Sequence, residues 1–174
     1  GELDLSKCDS LRELRACESE LHTLILGDKP YLKGLYVYGN SLQELNLSGC
    51  PSLEYLYVNH NALKELDLDG NPSLKNVSAY NNALQTISLG EKPNLTSLGL
   101  ENNSLQELDL GGCPSLEYLS AYNNTLQTIN MGNCTQLESV DVCKNELKHL
   151  DVPNAQMQWF QWKDNPMAFS CLTP

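Results

Sequence analysis

Basic residues are scarce: 11 lysines and arginines stand against 22 aspartates and glutamates, giving a formal charge of −11 and a pI near 4.5. Nucleic-acid affinity rests on a basic footprint, so that partner class is disfavoured, and an anionic membrane surface is disfavoured for the same reason. No apolar run approaches the roughly 18 residues of a spanning helix, which argues against membrane insertion. No signal-like apolar segment appears either. Histidine is limited to His22, His60 and His149, which do not share a position in the pattern described below. No CxxC or Cys/His spacing supports zinc. His149 shares a strand face with Asp151, but Cys143 falls on another side of the unit, so a Cys–His–Asp nucleophile is not expected. The expectation is therefore no catalytic residue, no cofactor and no metal.

Long stretches of helical periodicity are also missing. What fills the chain is a repeat, the first thing to seek in such a sequence. Leucine recurs every 21 residues at Leu21, Leu42, Leu63, Leu84, Leu105, Leu126 and Leu147. Proline keeps the same register at Pro30, Pro51, Pro72, Pro93 and Pro114, and asparagine does so at Asn40, Asn61, Asn82, Asn103, Asn124 and Asn145. About eight units fit: 1–20, 21–41, 42–62, 63–83, 84–104, 105–125, 126–146 and a last, shortened one at 147–166. A longer period overlies the first, since LQELNLSGCPSLEYL from 42 returns as LQELDLGGCPSLEYL from 105, and LGDKPYL from 26 as LGEKPNL from 89. Both shifts are 63 residues and point to duplication of a three-unit block.

Each unit reads LxxLxLxxxPxLxxLxVxxNx. The L-x-V segment, as in Leu56 and Val58, alternates with period two and predicts a short strand buried on one face. A second alternating segment, as in Leu66 and Leu68, predicts a short strand on the opposite side. Prolines and glycines break the arcs between them. The chain is thus expected to coil, with equivalent strands parallel at about 4.8 Å, so that eight turns span about 35–40 Å. One unit buries about six aliphatic side chains, on the order of 10 kcal/mol, against about 1–2 kcal/mol per residue for ordering the backbone. A single coil cannot fold alone, and stacking must supply the rest. The asparagine column answers a different need. Each coil turns with peptide groups pointing inward, buried polar groups require partners, and an amide side chain both donates and accepts. Asn40, Asn61, Asn82, Asn103, Asn124 and Asn145 are expected to form a structural ladder, with Ser19 in the slot of the first unit.

The unit resembles the leucine-rich repeat family, and the match covers essentially the whole chain. Its short form is similar to bacterial repeats of the kind found in internalins, secreted effectors and surface proteins. The resemblance implies a β-rich solenoid: a right-handed superhelix of one domain (1–174) with a parallel sheet on one face, short strands or irregular segments on the other, and little helix. It also implies a non-catalytic module for protein–protein interaction, secreted or at the cell surface.

Seven of the eight tyrosines fall in outward slots of the L-x-V strands, and only Tyr31 does not. Ser78, Gly99 and Ser120 form a column of small residues, so Tyr57, Tyr80, Tyr118 and Tyr122 are expected to surround a shallow dip. Tyrosine gives amphipathic contact area at low entropy cost and is enriched at interfaces. Tyr36, Tyr38, Tyr55, Tyr57, Tyr80, Glu101, Tyr118 and Tyr122 are therefore the candidate ligand-binding residues. Cross-strand aromatic packing would place the rings there without any ligand. Two other readings stay open: a carbohydrate-binding surface on the same tyrosines, and a structural spacer for another domain. The opposite strands carry Glu44, Glu65, Asp67, Asp69, Glu107, Asp109 and Asp151 outward. Calcium on Asp67 and Asp69 is chemically conceivable, but a solvated acidic face is the simpler reading.

Cys8, Cys50, Cys113 and Cys134 share one column, of which only Cys113 and Cys134 fall on adjacent turns; buried thiols filling space are expected. Solenoid ends expose strand edges that must be covered. Met157, Phe160, Trp162 and Met167 continue the pattern with bulkier groups, predicting an aromatic cap around 157–174. The first coil, GELDLSKCDSL, carries no such plug, which predicts either preceding residues over that end or end-to-end self-association.

Overall fold

The computed structural model describes residues 1–153 and 157–166. The part of the expected cap from 167 to 174 lies outside the described residues. Every strand is three residues long, with its middle residue turned toward the interior. In chain order they are β1 (Glu2–Asp4), β2 (Glu13–Arg15), β3 (Thr23–Ile25), β4 (Gly34–Tyr36), β5 (Tyr55–Tyr57), β6 (Glu65–Asp67) and β7 (Asn76–Ser78). There follow β8 (Thr86–Ser88), β9 (Ser97–Gly99), β10 (Glu107–Asp109), β11 (Tyr118–Ser120), β12 (Thr128–Asn130), β13 (Ser139–Asp141) and β14 (Trp159–Gln161). No helix occurs among the described residues.

Eight strands form one parallel sheet in the order β2-β4-β5-β7-β9-β11-β13-β14. The other side of the solenoid carries three two-stranded parallel sheets, β1-β3, β6-β8 and β10-β12. Register follows the repeat: Tyr36 pairs with Tyr57, Tyr57 with Ser78, Ser78 with Gly99, Gly99 with Ser120 and Ser120 with Asp141. Only the final step is one residue short, Ser139 facing Trp159. The alternation that predicted the strands also builds the interior, in which Leu35, Leu56, Val77, Leu98, Leu119 and Val140 stack behind the sheet with almost no exposure.

At the corner after each sheet strand the asparagines close the backbone accounts. The Asn61 amide donates to the carbonyls of Val37 and Val58, both at 3.0 Å, and its oxygen accepts from the Leu42 N–H at 3.0 Å. Asn82, Asn103, Asn124 and Asn145 repeat these three bonds coil by coil. Asn40 does the same against the first coil, accepting from Ser19 N–H and Leu21 N–H. Asn165 extends the ladder by one rung into the aromatic turn, where Phe160 and Trp162 stack at 6.2 Å. The residue before each rung turns through positive φ, as at Asn81 (53°), Asn102 (55°) and Asn123 (54°). Asparagine tolerates this conformation better than most residues. These three amides bond in series on the surface at 2.7 and 2.9 Å.

The cysteine column proves mixed. At its 21-residue spacing it contains Cys8, Lys29, Cys50, Asn71, Lys92, Cys113 and Cys134, and all but Cys8 are fully buried. Asn71 donates to the carbonyls of Leu47 and Cys50, and the Cys134 thiol points at the equivalent pair, Leu110 and Cys113. Here a thiol stands in for an amide. All six cysteines among the described residues are free thiols. Burial pushes the Cys113 thiol up to about 12 and the Cys134 thiol to about 11. The two lysines bury their aliphatic stems and turn their ammonium groups onto carbonyls of their own turns: Lys29 to Asp28, and Lys92 to Leu89 and Glu91. Desolvation lowers the Lys92 pKa.

These lysine coils sit unusually close to the next coil. The N–H groups of Lys29 and Lys92 donate across it to Gly49 and Gly112, each at 2.7 Å. A Cβ at Gly49 would lie 2.7 Å from the Gly27 carbonyl oxygen, and one at Gly112 would lie 2.3 Å from that of Gly90. Only glycine fits beneath a lysine coil.

Candidate functional site

Sheet side chains alternate, so the outward residues of β2 to β14 present a polar and aromatic face above the leucine core. Its first part is an aromatic stack. The rings of Tyr36 and Tyr57 lie 5.1 Å apart at 17°, and the Arg15 guanidinium covers Tyr36 at 4.3 Å while binding Glu13. The Tyr36 ring folds back over Gly34, where a side chain would meet it at 2.8 Å. Burial raises the Tyr36 pKa, with nearby Glu13 adding to it. Beside the stack, Tyr55 and Tyr38 are exposed. Tyr80 meets His60 edge-on at 5.2 Å.

The second part, from β9 to β14, is a depression of about 210 Å³. Glycine and serine form its floor, at Ser97, Gly99, Ser120 and Ser139, and its rim carries Glu101, Tyr118, Asp141 and Trp159. Tyr118 donates to Glu138 at 3.1 Å, which holds the ring in place and raises its pKa. Glu101 lies across Gly99, its Oε2 3.2 Å from where a Cβ would project there. That oxygen is shielded from water and meets no hydrogen-bond donor. Asp141 accepts from the Cys143 N–H at 3.0 Å. Tyr122 instead takes a hydrogen bond from Lys144 at 2.9 Å, the ammonium lying 5.2 Å from its ring centre.

The dip therefore lies further toward the C-terminal end than the tyrosine pattern suggests. Tyr118 lines it, but Tyr57, Tyr80 and Tyr122 do not: Tyr57 stacks on Tyr36, Tyr80 meets His60 edge-on and Tyr122 holds Lys144. Tyr36, Tyr38 and Tyr55 belong to the aromatic stack and its margin. Asp141 and Trp159, on the same outward face, lie outside the candidate set that the tyrosine pattern gave.

Along the entry edge of the sheet, Glu54 holds Lys33 at 2.9 Å and Lys75 at 2.7 Å, which lowers its own pKa. On the opposite side, Asp67 and Asp69 are exposed, Asp69 accepting from Ser88. No group of three or more His, Cys, Asp or Glu side chains converges as a metal site among the described residues. No helix among them is long and apolar enough to cross a membrane.

No family model and no curated relative matches the chain. Among solved structures, YopM from Yersinia enterocolitica superposes with a TM-score of 0.67 over 95% of this chain and 40% of its own length, at 25% identity. The functional domain of InlJ from Listeria monocytogenes, described as including a cysteine ladder, gives 0.62 over 95% of this chain and 42% of its own, at 20% identity. The leucine-rich repeat domain of APL1B gives 0.66 over 78% and 42%, at 25% identity. The chain thus spans less than half the length of the structures it resembles. Parallel coils of constant register, a far side without helix among the described residues and these neighbours identify the fold as a leucine-rich repeat solenoid, similar to those of bacterial proteins.

Proposed function

We propose that this chain is a non-catalytic module that binds a protein partner through its eight-stranded sheet face, in a protein exported to or displayed on a bacterial surface. The observation that carries this reading is the set of aromatic side chains left outside the core yet held in fixed positions: Tyr118 by Glu138, Tyr36 by Tyr57 and Arg15, and Tyr80 by His60. Rings already ordered lose little entropy on binding, and such groups commonly supply the anchors of an interface. The leucine-rich repeat neighbours support a binding role without catalysis. The bacterial sources of YopM and InlJ support the location.

The test is a screen against arrays of surface proteins and of glycans, run with the native chain and with the Tyr57→Ala/Tyr118→Ala double variant. A protein hit that the double variant loses, with its circular dichroism unchanged, is the expected result. Hits that both forms bind equally would remove the tyrosine face from consideration. A glycan hit lost in the variant would make the same face a carbohydrate site.

A further inference from the structure

We infer that the depression rimmed by Glu101, Tyr118, Asp141 and Trp159 is a socket for an arginine side chain of the protein partner; this rests on the sheet face being the recognition surface. The first argument is geometric. Tyr118, Ser139 and Trp159 are register partners on neighbouring strands, so the two aromatic residues stand about 9.6 Å apart across a serine, two strand spacings. A planar group touching a ring on each side at about 3.5–4.0 Å fills most of that gap. Both aromatic residues are close to half exposed, 47% for Tyr118 and 44% for Trp159, so the walls are open from above.

The second argument is charge. Asp141 lies two residues beyond Ser139 on the same face of β13, and Glu101 reaches in from the other side over Gly99. Glu138 adds its charge behind Tyr118. No lysine or arginine lines the depression. Lys144, at the same end of the sheet, is turned onto Tyr122. Glu101 thus has one oxygen withdrawn from water without a donor, and a cation supplied from outside compensates the charge that the protein leaves uncompensated. A neutral hydroxyl would not. Between the two basic side chains, guanidinium is planar, stacks on aromatic faces and binds carboxylates through a fork of donors, whereas ammonium is compact and strongly hydrated. The depression has an aromatic residue on each side and carboxylates at its rim, so it selects arginine.

Nuclear magnetic resonance of the isotope-labelled chain tests this directly, using N-acetyl-arginine methylamide, its neutral citrulline counterpart and methyl glucoside as probes titrated into the tens of millimolar. The arginine probe is expected to shift the amides of Gly99, Ser120, Ser139 and Asp141 and the Trp159 indole saturably, with the citrulline probe about tenfold weaker or worse. Glu101→Gln and Asp141→Asn should each weaken the arginine response several-fold while leaving the rest of the spectrum in place, and added salt should weaken it further. Equal responses to arginine and citrulline, preference for the glucoside, shifts confined to other parts of the sheet, or no saturable shift would each overturn the socket. None of those outcomes decides whether the sheet face binds a protein, since the tyrosine double variant reads that separately.

Discussion

Replacing one rung of the asparagine ladder gives the sharpest measure of how the coils are joined. Asn124 is nearly buried, at 8% exposure, and its turn has no positive φ at that residue, so Asn124→Ala imposes no backbone strain. The substitution leaves the Leu105 N–H, bonded at 3.1 Å, without its partner, and takes one of two donors from the carbonyls of Leu100 and Ala121, which keep Asn103 and Asn145. Each polar group left buried without a partner costs about 1–3 kcal/mol. With about 0.5–1.5 kcal/mol for each carbonyl bond lost, the expected total is about 2–4 kcal/mol, a large share of the roughly 5–15 kcal/mol typical of a domain. Urea denaturation reads the total. Native-state hydrogen exchange reads the location: the Leu105 amide should exchange much faster, while that of Leu63, held by Asn82 two coils away, keeps its protection. Asn124→Asp should be as damaging at neutral pH, since a carboxylate cannot donate to two carbonyls, and should recover in acid. The sign follows because the buried carboxyl is raised above its usual value near 3.9, so its stability is present below that value and lost as pH climbs through the folded one. A loss below about 1 kcal/mol for Asn124→Ala, or uniform exchange changes along the chain, would refute the assignment of the rung as the join between coils.

Equivalent glycines should respond oppositely. Gly112→Ala, whose Cβ would lie 2.3 Å from the Gly90 oxygen, is expected to lose at least about 3 kcal/mol in thermal or urea melts, whereas Gly70→Ala, with nothing nearer than 3.6 Å, should be neutral or gain about 0.4–1 kcal/mol. Iodoacetamide should label Cys8, which is exposed, and leave Cys50, Cys113 and Cys134 intact until urea is added; native labelling of Cys113 would contradict its burial. Because the Cys113 thiol is raised from 9.0 to about 12, its contribution is complete below pH 9 and lost between there and about 12, so Cys113→Ala should flatten that part of the stability profile. Lys92 runs the other way: its pKa is lowered, so stability falls as pH drops below the ordinary 10.5, and Lys92→Met should remove that slope. An unchanged slope would mean that the ammonium is solvated.

The fold was legible because a period of 21 residues fixes the size of a coil, and alternation within it fixes which side chains point inward. Asn61 was legible for a related reason: a polar residue recurring between core leucines must bond something. Lys29 and Lys92 escaped because lysine ordinarily marks a solvated face. Their long stems allow burial if the ammonium finds carbonyls, and the signal was their place 21 residues from Cys8 and Cys113 respectively. The site was half legible. Outward slots follow from strand period, yet whether Tyr57 guards a dip or stacks on Tyr36 is decided by side-chain rotation, to which spacing is blind. Glu101 stood in the candidate set, but its orphaned oxygen depends on Gly99 leaving room for the carboxylate to lie flat.

The tight fit of a lysine-bearing coil over its glycine neighbour has a bearing on ancestry and on engineering. Such a coil cannot be grafted, deleted or moved by itself, because whatever follows it must lack a side chain at one particular atom. The smallest portable piece is then a pair, Lys29 with Gly49 or Lys92 with Gly112, and the internal copying by 63 residues kept each pair whole. Anyone shortening this protein should cut near Gly70, where a side chain would meet nothing closer than 3.6 Å, and never between a lysine and its glycine.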